Sequence, residues 1–478
     1  MRVPALVALA PVLVVDGNTF MSSFTDRFIQ WFKPTIVAPR AGLYHFEYQE
    51  DGSRSRIHLR VDADGQGILL INAARIFHLN SSATLMAYLI LHDSSPHQAI
   101  NILTRKYKVT AAQAKNDYAQ FKGQFEELIN PNGGCPICDF NLDTLPPFST
   151  TPNAPYRMDL AISYACNNNC SHCYNARPRN FPQLRLAQWK NVLDILWEIG
   201  VPHIVFTGGE PTLVSFLPDL IRHAEKNGQI TGINTNGRLL KNSDYVQRLV
   251  DSGLDHIQVT LESHDPAIHD HMVNSTGAWK DTTGGLRNVL TTRLYVMTNT
   301  TLLRSNSPYL AETLNFLHDL GVPTVGLNSL IYSGKGESVG TGLSASDLPG
   351  LLDIARNLTQ KYNQRLIWYT PTQYCHFDPV QMELGVKGCT AALYNMCIEP
   401  DGQVIPCQSY YEPLGDLIDL TWHEIWNHPL AINLRERKSA PQSCRHCDYF
   451  QECGGGCPLS RDRQQVQPIF KDLILPAS

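Results

Sequence analysis

The chain of 478 residues has no surplus of positive charge: 39 Lys and Arg stand against 44 Asp and Glu, for a net charge of -5. Proteins whose main partner is a nucleic-acid backbone carry a basic face, so this balance argues against nucleic acid as a partner. A long apolar run is missing too. The opening stretch, Val3 to Val15, is interrupted by Pro4 and Pro11 and is too short to span a bilayer, so no membrane partner is expected. With Arg2 ahead of it the stretch imitates a signal peptide, but no clear small-residue cleavage site follows; a strand or helix packed on the body is expected instead. Cysteine is not scarce, with thirteen in all, yet the spread of a disulfide framework is absent. The thiols fall into tight groups at 135/138, 166/170/173 and 444/447/453/457, which reads as metal ligation by reduced thiols and hence a cytoplasmic setting. With 43% hydrophobic and 17% charged residues, the composition is that of a soluble globular protein.

What is present centres on Ser163-Tyr-Ala-Cys-Asn-Asn-Asn-Cys-Ser-His-Cys-Tyr-Asn175, in which Cys166, Cys170 and Cys173 are spaced C-x3-C-x2-C. Three thiolates ligate three irons of a [4Fe–4S] cube and leave the fourth without a protein ligand. An open iron is where a small molecule binds, by the logic that separates open catalytic metal sites from closed structural ones. The plainer alternative is a zinc knuckle or three unrelated buried cysteines.

Residues 1–40 carry no pattern that assigns them. From 41 to 130, strands are expected at 57–61, 67–71 and 74–79, followed by three helices. The first runs from Ser82 to about Leu91. The second opens on Ser95-Pro-His-Gln98, a capping box with proline in the first helical position, and the third on Thr110-Ala-Ala-Gln113, ending near Leu128. This order predicts a compact winged-helix-like α+β unit. A DNA-binding winged helix would place more charge on its recognition helix than Arg105, Lys106 and Lys108. Residues 131–155, rich in Pro, Gly, Asn and Thr, read as a linker. Its Cys135-Pro-Ile-Cys138 has no second pair nearby to complete a zinc site, so half a zinc site, a redox pair and a cluster donor all stay open.

Residues 156–370 alternate strand and helix, with strands expected at 157–163, 203–206, 230–234, 256–261, 294–298 and 324–330. The joins Gly200-Val-Pro-His-Ile-Val, Gly253-Leu-Asp-His-Ile-Gln and Gly321-Val-Pro-Thr-Val-Gly repeat one pattern: helix, glycine cap, short turn, apolar strand. Successive βα units make an α/β fold with a parallel sheet, and six strands predict a partial (β/α)6 TIM-type barrel. Chemistry in such folds sits at the carboxyl ends of the strands, where the cysteine triad falls. Polar groups recur there: Thr207-Gly-Gly-Glu-Pro211, then Asn234-Thr-Asn-Gly237, then Gln258-Val-Thr-Leu-Glu262, and later Met297-Thr-Asn-Thr300 and Ser333-Gly-Lys-Gly336. The glycine pair allows close backbone approach to a ligand, and Glu210 supplies an acceptor.

The C-x3-C-x2-C triad with GGEP one strand later resembles the signature of the radical S-adenosylmethionine (SAM) superfamily. That resemblance implies a [4Fe–4S] cluster on Cys166, Cys170 and Cys173 whose open iron chelates SAM. Gly208, Gly209, Glu210 and Pro211 would meet the SAM amino group, Asn234 and Asn236 would line the cofactor, and Thr260 would approach its ribose in place of the commoner serine. His172 stands where the family usually has an aromatic. The segment 371–478 resembles the SPASM extension, through Cys389, Gly402, Cys407 and then Cys444-x2-Cys447-x5-Cys453-x3-Cys457. It implies one or two auxiliary iron–sulfur clusters, the first on Cys389, Cys407 and Cys457 with Cys397 as a fourth ligand, the second on Cys444, Cys447 and Cys453. The family's last cysteine is absent, so the second cluster must recruit another ligand (Asp462, Asp472, Cys375 or the linker pair), keep an open iron, or be missing. A zinc ribbon is the alternative for this half. The order of elements in 41–130 is similar to the PqqD-like domain, which in its family binds a leader peptide by adding a strand to the sheet edge.

Together these resemblances imply a cytoplasmic enzyme that reductively cleaves SAM to a 5′-deoxyadenosyl radical and oxidatively modifies a ribosomally made precursor peptide, with a cross-link as the expected product. The leader would bind at residues 57–80, and a flavodoxin or ferredoxin would be the reductant. Two alternatives accompany this: maturation of a sulfatase or of a non-peptide cofactor, and a non-enzymatic iron–sulfur DNA-binding redox sensor.

Overall fold

Alternating side chains build the first unit of the computed structural model, which describes residues 39–50, 53–72, 75–129 and 152–460. The stretch Val3–Val15, the pair Cys135 and Cys138, and Asp462 and Asp472 lie outside the described residues. Strands β1 (Gly42–Glu50), β2 (Ser53–Val61), β3 (Gly67–Ile71) and β4 (Arg75–Leu79) form an antiparallel sheet in chain order. In β2, Ile57, Leu59 and Val61 enter an apolar core, whereas Arg56, His58 and Arg60 occupy the opposite face. Helices Ser81–Leu91, Pro96–Lys106 and Ala111–Ile129 cover the apolar face, contributing Leu85, Leu89, Phe121 and Phe125. The capping box at Ser95 closes in both directions, and Thr110 accepts from the Gln113 N–H at 3.2 Å. Strand β1 has no counterpart in the sequence reading, although Tyr44 and Phe46 alternating with His45 and Glu47 carry a strand's period.

The polar face of this sheet docks on the next unit. Arg56 donates to Glu225 Oε2 and Asp255 Oδ2, both at 2.9 Å. His58 Nε2 lies 2.7 Å from Gly228 O, and Arg60 Nη1 donates to Ala154 O at 3.0 Å. These three residues are at most 3% exposed, so both faces of the sheet are buried there.

The six expected barrel strands are found in order: β5 (Arg157–Ser163), β6 (His203–Gly208), β7 (Ile230–Thr235), β8 (His256–Thr260), β9 (Tyr295–Leu302) and β10 (Thr324–Ser329). Each pairs in parallel with the next. Gly200, Gly253 and Gly321 sit at the repeated joins with φ of +91°, +98° and +80°, the left-handed conformation a glycine cap supplies. Outward-facing Met158, Leu160 and Ile162 of β5 pack with Trp189, Val192 and Leu196 of the following helix, Leu186–Glu198.

The sheet extends beyond those six strands. β11 (Arg365–Trp368) adds in parallel beside β10. On the other side β12 (Asn395–Ile398) pairs in parallel with β5 and continues outward through β13 (Gln403–Ile405) and β14 (Gly415–Asp416), which are antiparallel. Among the described residues β11 and β12 do not pair with each other, so the barrel is open. No helix among the described residues is long and apolar enough to cross a membrane.

Candidate active site at the cysteine rim

The strand ends place the predicted residues around one cavity of about 760 Å³. Cys166, Cys170 and Cys173 border it from the loop after β5, Gly208 and Gly209 from the end of β6, Asn234 and Asn236 from β7, and Thr260 from β8. Glu210 and Pro211 do not border it. Glu210 is fully buried and its carboxylate is saturated by the chain itself: Oε1 accepts from Thr212 N (3.0 Å), Thr212 Oγ1 (2.5 Å) and Thr235 Oγ1 (2.6 Å), and Oε2 from Asn236 N (2.7 Å). Burial raises its pKa, and those hydrogen bonds oppose the rise. Glu210 braces the ends of β6 and β7.

The glycine pair answers to the chain as well as to a ligand. Gly208 has φ +128°, and a Cβ there would lie 2.1 Å from Ser163 O; one on Gly209 would lie 2.4 Å from Ala165 O. The backbones meet so closely because Gly209 N donates to Ser163 O and Glu210 N to Ala165 O, each at 2.8 Å. GGEP therefore holds the start of the cysteine loop.

Two arginines that the sequence reading missed pin the rest of that loop. Arg179 donates to Cys166 O at 2.7 Å and to Asn168 O. Arg238 Nη1 donates to Asn167 O at 2.8 Å and Asn168 Oδ1 at 3.0 Å. Burial pushes the Cys166 and Cys170 thiols above the ordinary cysteine range, and the N–H of Asn168, 3.4 Å from Cys166 Sγ, opposes this at the first. His172, the departure from an aromatic, is buried with Nε2 3.0 Å from Glu262 Oε1; Glu262 Oε2 accepts from Thr301 N at 2.9 Å. His172 and Glu262 both border the cavity.

Deeper in the barrel, Arg157 Nε donates to Asp159 Oδ1 at 2.7 Å, and the fully buried Asp159 has no hydrogen-bond partner for Oδ2. Both residues border the same cavity, as do Leu70 and Ile76 of the first unit and Tyr394, Gln408 and Cys457 of the C-terminal one. Arg157 and Asp159 gave no signal in the sequence beyond alternating with apolar residues along β5.

The C-terminal cysteines separate into groups. The Cys407 thiol is pushed up by burial and by the neighbouring Cys389 and Cys457 thiols, and of these three Cys457 borders the cavity. Cys397, expected as a fourth ligand, is fully buried in β12, opposite Asp159, and packs with Ala161, Tyr164 and Ile405. Burial pushes its thiol up, followed by Asp159 and Cys407. Cys444, Cys447 and Cys453 lie in the last helical turns, Gln442–His446 and Phe450–Cys453, and the loop joining them. The unit is tied to the cysteine loop by Arg177, which binds both oxygens of buried Glu399 at 2.7 Å.

The donor set suits clusters. Among the described residues no three His, Cys, Asp or Glu side chains meet around one point as a single ion requires; Cys166, Cys170 and Cys173 instead border a cavity with room for more than an ion. Buried thiols ionise on binding metal, releasing protons.

Comparison with known proteins agrees. The model of the radical SAM superfamily matches residues 160–317, and that of the SPASM iron–sulfur cluster-binding domain matches 389–448. An AdoMet-dependent heme synthase of Oleidesulfovibrio alaskensis is 24% identical over 330 residues, 64% of this chain and 85% of that protein. A PqqA peptide cyclase of Bradyrhizobium diazoefficiens is 25% identical over 318 residues, 63% and 81% of the two chains. Among solved structures, Streptococcus suis SuiB bound to its precursor peptide SuiA superposes with a TM-score of 0.65 at 14% identity, covering 87% of this chain and 98% of that one, a likeness of fold. The chain carries a radical SAM domain followed by a SPASM domain, and it is an enzyme that works with a [4Fe–4S] cluster and SAM, together with auxiliary iron–sulfur clusters.

Proposed function

We propose that this enzyme oxidatively modifies a ribosomally synthesised peptide, cross-linking its core while the leader is held by a PqqD-like unit at residues 41–130. One observation carries the reading: a single cavity is bordered both by Cys166, Cys170 and Cys173 and by Leu70 and Ile76 of the first sheet. Among the described residues, β2 and β3 are paired on both sides, whereas β4 ends the sheet and is the strand between 57 and 80 to which a peptide strand would add. Ile76 on β4 is 39% exposed, an apolar contact for such a strand. The PqqA peptide cyclase and the peptide-bound SuiB are relatives whose names fit a peptide substrate.

When bound, the cluster and SAM supply a 5′-deoxyadenosyl radical able to take hydrogen from an unactivated carbon. The chain's own residues position and shield. Cys166, Cys170 and Cys173 ligate the cluster; Gly208, Gly209, Asn234, Asn236 and Thr260 line the place for SAM; Glu210 and Pro211 brace it from behind. Cys389, Cys407 and Cys457 hold the first auxiliary cluster, and Cys444, Cys447 and Cys453 hold the second. Asp159 is placed to accept a proton from the substrate.

A second reading, action on a non-peptide cofactor, is favoured by the relatives named heme synthases. The two part on one experiment with the full chain, reconstituted anaerobically with dithionite and SAM. A candidate precursor peptide should bind through its leader and lose two hydrogens by mass spectrometry. Release of 5′-deoxyadenosine with neither leader binding nor a mass change would overturn the peptide reading.

A further inference from the structure

One cysteine outside the recognised patterns has company. Residues 372–375, which follow β11, lie against the turn that carries Cys453. Tyr374 N–H points to Cys453 Sγ at 3.4 Å, and the Cys453 thiol in turn lies 3.5 Å from Thr372 O. A Cβ on Gly456, where φ is +75°, would lie 2.6 Å from Gln373 Cγ, so that glycine keeps the two segments in contact. The Tyr374 and Tyr449 rings are 6.1 Å apart. The next residue is Cys375. The thiols that act on it electrostatically are those of Cys453, Cys444 and Cys447. Two segments more than sixty residues apart in sequence thus bring four thiols into one neighbourhood, spread wider than a single ion's shell.

We infer that Cys375 is the fourth protein ligand of the second auxiliary [4Fe–4S] cluster, completing the set of Cys444, Cys447 and Cys453. Residues 458–478 hold no cysteine to add to Cys444, Cys447 and Cys453. Here the missing thiolate arrives from upstream, on the segment that leaves the barrel. Each thiol gives up its proton on ligation, and the cluster gains four protein ligands. A cluster so closed has no open iron for substrate, which restricts it to electron transfer. Cys375 and Cys447 are solvent-exposed while Cys453 is buried, so the cluster lies at the surface, within reach of an external reductant. The inference rests on the cofactor assignment and not on the peptide proposed above.

The test compares the full-length wild type with Cys375→Ala and Cys444→Ala after anaerobic reconstitution, by iron and sulfide content, Mössbauer and electron paramagnetic resonance spectra. Cys375→Ala should lose iron from one cluster only, leaving either a three-iron signal in the oxidised protein or a deficit of one whole cluster, with the SAM-binding cluster's signal unchanged. Cys375→Ser should keep the iron and change that cluster's reduction potential. In the wild type, Cys375 should resist iodoacetamide until a chelator strips the iron. This last readout needs no variant and decides the matter if Cys375→Ala fails to fold. Wild-type iron and spectra in Cys375→Ala, or alkylation of Cys375 in the intact holoprotein, would overturn the inference. If Cys444→Ala also loses no iron, the second cluster itself is absent, and the inference falls while the SAM-cluster assignment stands.

Discussion

At the scale of single residues, the inner wall of the barrel separates groups that hold a structure from groups free to act. Glu210 spends both carboxylate oxygens on its own chain, whereas Asp159 spends one and keeps Oδ2 unpartnered. Asp159→Asn preserves shape and removes a proton acceptor. The expected outcome is about 10²-fold slower peptide modification, the range of a lost general base, with release of 5′-deoxyadenosine nearly unchanged. Comparing the two products by liquid chromatography checks it, and a parallel fall of both would assign Asp159 to cofactor binding instead. Nearby, His203 Nε2 and His256 Nε2 are 2.8 Å apart, one ring donating and the other accepting. Burial, then Arg157, pushes His256 down to about 3, and burial with its neighbour lowers His203 as well. An unfolded histidine titrates near 6.5, so between pH 6.5 and 3 the unfolded chain binds a proton that the folded chain refuses. Stability should therefore fall as pH falls through that window, and His256→Gln should flatten the slope of denaturant midpoint against pH.

At the scale of elements, the βα repeat was readable because each unit carries its own local punctuation, a glycine in the left-handed region followed by an apolar strand. β11 and β12 were not. Arg365–Trp368 and Asn395–Ile398 are four residues each, too short for a period to show, and they are strands only because β10 and β5 offer them an edge. The GGEP turn shows the converse. Its sequence announced a site, but the reason for its second glycine is the carbonyl of Ala165. Gly209→Ala sets a methyl against two backbone carbonyls that cannot yield separately. We expect a loss of at least about 3 kcal/mol, with the SAM-binding cluster failing to assemble while auxiliary absorbance survives. Thermal denaturation and iron content report on each, and a stable, fully loaded variant would show that the loop can shift.

At the scale of the whole molecule, three units share one cavity, and salt bridges and hydrogen bonds cross their seams. Arg56 is the clearest, a cation 3% exposed between Glu225 and Asp255. Arg56→Met takes the cation away from between two partly buried carboxylates. It should cost about 2 kcal/mol, less than a fully buried pair because both acids reach solvent. Leader binding should weaken, whereas SAM cleavage without peptide should persist; equal affinity in calorimetric titration would detach the seam from recognition.

The sequence by itself determined the cofactor class, since thiolate spacing within a short loop is a local property and C-x3-C-x2-C admits few uses. It determined the barrel as well, since hydrophobic period and glycine caps are local too. Only tertiary structure decided what depends on distant segments meeting: that Glu210 faces the chain, that Cys397 packs among apolar side chains, that β4 ends the first sheet among the described residues, and that Cys375 lies near cysteines far along the chain. Spacing cannot encode such meetings, because packing brings those thiols and carboxylates together without any pattern along the chain to record it.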